Sequence, residues 1–298
     1  MLHDETVTVK LVGGIGNQLF GYFAGLSLAQ KRGVGLRLDV SDLHLEHAVH
    51  RSNIQALNLP GEFYVRNSNS SFINQTYERS KSWIKRRLPS LNYFSDQYVS
   101  PVVGYDASIL DQNFKKRNIA GYFQSYKYHE LCLIESREWE LRNPSSWFTQ
   151  MRRTIESTNV ISIHIRRGDY KNLKTTFGLL SKDYYSRAIK IATDFVPNAE
   201  FWVFTDDISD ARSMLNGFVG NIVFIEPPLS SDPVESLLLM SYSKANIIAN
   251  STFSWWSARL NKQGKIVVAP RKWFYEMEDP LFLYPTSWAL VESSWITS

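Results

Sequence analysis

The feature that most limits how this chain can fold is a regular alternation of short apolar, β-branched runs with helical segments through its second half. Residues 160–165, 201–204, 222–225, 245–249 and 266–269 read as strands. Residues 181–192, 208–215 and 254–260 read as helices, with a further one opened by Asp232 as N-cap and Pro233 in the first turn. Strands separated by helices cannot pair as hairpins, and crossovers make their neighbours parallel, so this half predicts a doubly wound sheet. The chain also begins this way: a strand at 7–12, a tight loop Gly13-Gly14-Ile15-Gly16-Asn17-Gln18, a helix at 19–32 stopped by Gly33, and a strand at 34–40. Residues 60–125 carry mixed signals, and 139–157 reads as a helix broken at Asn143-Pro144. The expected fold is α/β, two Rossmann-like domains facing a central cleft. The first domain would span 1–150 and the second 151–298, with the last segment free to pack back on the first.

Chemistry is expected at the strand ends. In residues 160–166, Ile161, Ile163 and Ile165 alternate with Ser162, His164 and Arg166. A central parallel strand is normally apolar on both faces, so a polar row toward its C-terminal end calls for a ligand. Arg166 offers a donor fork that fits two phosphate oxygens. Arg167 adjoins it, Gly168 lets the backbone turn closely, and Asp169 can orient an arginine or meet the ligand. Asp206 and Asp207 end the next strand; they can hold a divalent metal, accept from guanine or ribose, or cap the following helix. Ser251, Thr252, Phe253 and Ser254 place small polar groups at a helix N-terminus, a ready anion site, against the plainer reading of ordinary capping. Trp255 and Trp256, just behind, read as core.

Gly14 and Gly16 stand where a dinucleotide fold carries its glycines, and Asp39 ends the next strand. The fingerprint fails at Leu19, where a third glycine belongs. A tight turn remains, and beside it a second reading in which Asn17 and Gln18 meet a ligand at the helix N-terminus.

Composition narrows the class. The net charge of +4 suits an anionic small substrate or a membrane headgroup layer, and the short basic runs belong to no nucleic-acid motif. Cys132 is the only cysteine, so no disulfide can form within the chain. There is no signal pattern at the N-terminus and no apolar run long enough to span a bilayer. A cytoplasmic protein is expected, with peripheral contact at the inner face of the cytoplasmic membrane as a further option. His44, His47 and His50 around Glu46 suggest a solvated segment, or acceptor-side residues, more than a zinc cluster. Lys81, Lys85, Arg86 and Arg87 suggest a surface helix that can also meet anionic lipid.

Taken in order, Gly13-Gly14-Ile15-Gly16-Asn17-Gln18-Leu19-Phe20, His164-Ile165-Arg166-Arg167-Gly168-Asp169, Phe204-Thr205-Asp206-Asp207 and Ser251-Thr252-Phe253-Ser254-Trp255-Trp256 resemble the α-1,2-fucosyltransferases, glycosyltransferase family 11. The resemblance spans residues 8–275. It implies a GT-B fold with 1–150 as the acceptor-side domain and 151–298 as the GDP-fucose-binding domain, GDP-β-L-fucose as donor, inversion at the anomeric carbon, no metal or other cofactor, and a terminal β-galactoside of a surface glycan or O-antigen as acceptor. Carried over, Arg166 meets the β-phosphate with Arg167 adjacent, and His164 meets guanine or ribose. Asp206, and less directly Asp207, reads guanine; Ser251, Thr252, Phe253 and Ser254 hold base and phosphates. Asn17 approaches the reacting sugar, Gly14 and Gly16 count among the donor-binding residues, and Asp169 supports Arg166 or acts through a water. The α-1,6 branch of the wider group would place a Glu ten residues after the His; here Lys174 stands there, so that base does not transfer. Alternatives are a GDP-sugar transferase of another donor or linkage, and a non-catalytic sugar-nucleotide or glycan-binding module.

Overall fold

The computed structural model describes residues 5–43, 51–65, 97–134, 139–172 and 174–296. The histidine cluster at 44–50 and the basic segment at 81–88 lie outside the described residues. The chain forms two compact units. One comprises residues 1–52, 59–138 and 280–282; the other comprises 53–58, 139–279 and 283–298. The segment 139–150, placed in the acceptor-side domain by the expectation from sequence, thus falls in the second unit.

The first unit is built on a parallel five-stranded sheet, ordered β3-β2-β1-β5-β4. Its strands are β1 (Thr6–Lys10), β2 (Gly35–Asp39), β3 (Glu62–Tyr64), β4 (Gln97–Val99) and β5 (Asn118–Ala120). Helix α1 (Ile15–Arg32) follows β1, and the short α2 (Tyr126–Leu131) follows β5. Helix α1 starts four residues earlier than its apolar spacing suggests. Gly14, in extended conformation, is its N-cap, so Asn17 and Gln18 belong to the first helical turn and not to the loop. Its other end is as expected: Gly33 adopts a left-handed conformation and closes the helix.

The second unit holds a parallel six-stranded sheet, ordered β11-β10-β9-β6-β7-β8. The strands are β6 (Val160–Ile165), β7 (Glu200–Thr205), β8 (Asn221–Phe224), β9 (Ala245–Ile247), β10 (Ile266–Pro270) and β11 (Ala289–Val291). Helices α3 (Ser146–Ser157), α4 (Lys174–Phe177), α5 (Lys182–Phe195), α6 (Ile208–Met214), α7 (Pro233–Met240) and α8 (Thr252–Leu260) connect or flank them. Counted within the unit the order is 3-2-1-4-5-6, the Rossmann order, with its switch point between β6 and β9. Two such α/β units in one chain make the GT-B fold class.

Every residue of β6 is buried. Ile161, Ile163 and Ile165 pack in one core with Tyr184, Tyr185, Ala188, Ile189 and Ala192 of α5. Truncating such a residue costs about 2–5 kcal/mol, so this strand anchors whatever its C-terminal end carries. Ser162 does not point to a ligand. Its hydroxyl accepts from Asn246 Nδ2 (2.7 Å) and meets Ser243 Oγ (3.1 Å) in a buried polar network. The helix expected over 139–157 begins only at Ser146, because Ser145 caps it, its Oγ accepting from Phe148 N. Before it, Leu141 bridges to Leu57. Strand β11 had no clear sequence signal; it is three residues long at a sheet edge. Among the described residues no helix is long and apolar enough to cross a membrane.

Candidate active site

The C-terminal end of β6 delivers Arg166 at the second unit's switch point. Its guanidinium is held on three sides. Nη2 meets Asp169 Oδ1 at 2.6 Å, Nη1 meets Asp206 Oδ2 at 3.0 Å, and Cζ lies 5.3 Å from the centre of the Tyr170 ring. Tyr170 is itself fixed. It stacks on Phe177 (4.8 Å, 16°), and its hydroxyl donates to Asn250 O at 3.1 Å, tying the end of β6 to the end of β9. Sequence reasoning passed over Tyr170; its only signal was an aromatic directly after the Arg-Arg-Gly-Asp turn.

Asp206 is held more firmly than Asp169. Its other oxygen accepts from Arg167 N at 2.7 Å, whereas Asp169 is half exposed and meets only Arg166 in an ion pair among the described residues. Gly168 is required by this arrangement: a Cβ there would stand 2.6 Å from Asp206 Oδ2. Arg167 does not share the surface. Its side chain is wholly buried, with Nη2 donating to Leu180 O (2.6 Å) and Nε 3.4 Å from Asp210. Asp207 caps α6 by accepting from Asp210 N (3.0 Å) and pairs with Lys171 at 2.7 Å. The Lys171 hydrogen bond lowers the Asp207 pKa and raises that of Lys171. A cap of this kind is worth about 1 kcal/mol, so helix-capping accounts for much of Asp207.

His164 lies two residues before Arg166, on the same face of the strand. It is buried, its Nδ1 has no hydrogen-bond partner, and its ring faces Phe253 at 5.5 Å. Burial first, and then the Arg166 charge, push its pKa down to about 3, so the imidazole is neutral at physiological pH. Phe253 belongs to the first turn of α8, whose N-cap is Ser251. The Ser251 hydroxyl makes no capping bond, and first-turn amides of a helix have no carbonyl one turn earlier. Ser254 is different: its hydroxyl turns inward to Ser251 O (3.2 Å) and Ala249 O (3.4 Å). The structure therefore assembles Arg166, Asp169, Asp206, His164, Ser251, Thr252 and Phe253 around the ends of β6, β7 and β9. Arg167, Ser254, Trp255 and Trp256 form their support. Both tryptophans are fully buried.

In the first unit, Gly13 turns the chain in a left-handed conformation and Gly14 and Gly16 follow it into α1. Gln18 is spent on structure, donating to Gly13 O (2.8 Å) and Arg51 O (2.7 Å). Asn17 remains at the surface of this turn. Its Oδ1 accepts from Gln124 Nε2 at 3.1 Å, a partner that sequence spacing could not suggest across 107 positions.

Chemically, the second unit offers one multidentate cation, a buried neutral imidazole against an aromatic ring, and a helix N-terminus. That set suits a base, a ribose and a diphosphate. Residues 148–283 match the model of glycosyl transferase family 11. The chain is 30% identical to an alpha-1,2-colitosyltransferase of Escherichia coli, over 96% of this chain and 99% of that protein. It is 41% identical over 123 residues, 40% of each chain, to the O-antigen biosynthesis glycosyltransferase WbnK of Escherichia coli. Among solved structures it resembles the α-1,6-fucosyltransferase NodZ soaked with GDP-fucose. The TM-score is 0.51 at 15% identity, covering 89% of this chain and 95% of that one.

Proposed function

We propose a donor, an acceptor and a division of roles for this chain, which belongs to glycosyltransferase family 11. It moves L-fucose from GDP-β-L-fucose to the 2-hydroxyl of a terminal β-galactoside, with inversion, in the assembly of an O-antigen or similar surface glycan. The observation that carries this reading is Arg166: a guanidinium bracketed at the switch point of a Rossmann sheet, beside a helix N-terminus, in a chain 30% identical to an alpha-1,2-glycosyltransferase along nearly its whole length.

In this reading Arg166 takes up charge on the β-phosphate as GDP departs. The first-turn amides of α8 and the Ser251 hydroxyl take the remaining phosphate oxygens. His164, neutral, hydrogen-bonds guanine or ribose, with Phe253 against it, and Asp206 holds Arg166 in register. Asn17 contacts the reacting sugar. No metal is required: Asp206 and Asp207 are already engaged by Arg166 and Lys171.

A second donor has specific support. The relative that matches almost end to end transfers colitose, which is fucose without its 3-hydroxyl. A site built to hydrogen-bond that hydroxyl rejects the deoxy sugar by a large factor, and a site without such a bond does not. The test is transfer to a panel of galactosides from GDP-fucose and GDP-colitose in competition, in excess EDTA, with linkage analysis of the product. The expected result is an α-1,2-fucosylated galactoside with undiminished rate. Preference for GDP-colitose replaces the donor. Activity that vanishes in EDTA and returns with Mn²⁺ overturns the metal-free reading.

A further inference from the structure

The first unit has a switch point of its own, between β1 and β5, and two amides meet there. Gln124 Nε2 donates to Asn17 Oδ1, while Gln124 is only 6% exposed and its own Oε1 has no hydrogen-bond partner. A buried acceptor left unmade costs stability, and an apolar side chain of the same shape would avoid that cost. The backbone that brings Gln124 here is strained as well. Phe123, buried, adopts φ +51, and Gln124 N is pinned to Val103 O at 2.7 Å. A left-handed phenylalanine persists only where its surroundings over-determine it, and its ring packs edge-on against Tyr128. Two costs in adjacent residues serve one contact.

That contact sets the direction of the Asn17 amide. With its oxygen taken by Gln124, Asn17 turns its N–H pair away, and Nδ2 makes no hydrogen bond to any described residue. Gly13 leaves the room: a Cβ there would stand 2.8 Å from Nδ2. We propose that Gln124 is a positioning residue that fixes Asn17 as a hydrogen-bond donor, so that this switch point presents an N–H to a neutral sugar hydroxyl. The proposal rests on the reading of Asn17 given above.

The test compares Asn17→Ala, Gln124→Met, Gln124→Glu and the Asn17→Ala/Gln124→Met double variant for kcat, KM, GDP affinity and Tm. Gln124→Met and Gln124→Glu should each lower kcat roughly tenfold through misplacement of the amide. GDP affinity should stay within about twofold, and Gln124→Met should not lower Tm. The double variant should be no slower than Asn17→Ala alone, because Gln124 acts only through Asn17. Additive losses overturn the proposal. So does full activity of Gln124→Glu, which retains an acceptor and would mean that Asn17 donates inward. A fall in Tm with kcat intact makes Gln124 merely structural. Asn17→Ala with undiminished turnover removes the assignment of Asn17 and the proposal together. Should the wild-type chain transfer neither sugar, the functional reading fails separately. The side-chain amide signals of Asn17 in ¹⁵N-asparagine-labelled protein then decide the orientation: displaced by Gln124→Met if it holds, unmoved if it does not.

Discussion

The two sheets each carry their chemistry at a switch point, and the two points are unlike in charge. At β1/β5 the groups are Asn17 and Gln124 beside glycines. At β6/β7/β9 three cations, Arg166, Arg167 and Lys171, are interlaced with four carboxylates, Asp169, Asp206, Asp207 and Asp210. The first suits a neutral hydroxyl, which an amide can address without desolvating an ion. The second suits a diphosphate, but not as it stands. Three positive against four negative charges leaves −1, which would repel an anion unless a carboxylate gives way. Asp206 is anchored by Arg167 N; Asp169 is half exposed and is the one free to leave. The charged site thus holds its arginine ready by occupying it, while the neutral site holds its asparagine ready by orienting it.

This contrast can be broken at three places. The largest effect belongs to Arg166. Arg166→Lys removes the fork while keeping the charge, and kcat should fall about 10²–10³-fold. Near wild-type turnover would show that no phosphate depends on the guanidinium. Next is Asp169→Asn. If Asp169 stands in for the phosphate, its neutralisation should tighten GDP binding roughly three- to tenfold, less so at high salt. Calorimetry showing weaker binding would instead make Asp169 a necessary brace for Arg166.

The smallest effect on activity concerns His164, the neutral member of the charged site. Its folded pKa of about 3 lies below the ordinary value near 6.5, so the unfolded chain binds the extra proton in between. Stability from this group is complete above pH 6.5 and is lost as pH falls toward 3. Denaturation curves for His164→Gln should be flatter across that window than those of the wild type, and GDP affinity should show no His164 titration between pH 6 and 8. An inflection there that the variant lacks would mean the imidazole carries charge when ligand binds.

Much of this was legible in the residues themselves. Strand β6 and the Asp232-Pro233 helix start lie where sequence placed them, because alternation and capping are local properties. Arg166 at a strand end was equally legible, since strand period fixes which residues share a face. What period cannot tell is where a side chain goes once it leaves the strand. Arg166 and Arg167 are adjacent and chemically identical, yet one reaches the site surface and the other is buried against Leu180 and Asp210. Ser162 and His164 share a face, yet one joins a network with Asn246 while the other has an unpartnered ring nitrogen. Sequence alone determined the parallel α/β architecture, the family and the motifs, because those depend on residue order. Tertiary structure decided that Tyr170 underlies Arg166 and that Gln124 orients Asn17. The first depends on how the turn after β6 folds back on itself, the second on two segments converging at one switch point, and no local pattern encodes a hydrogen bond across 107 residues.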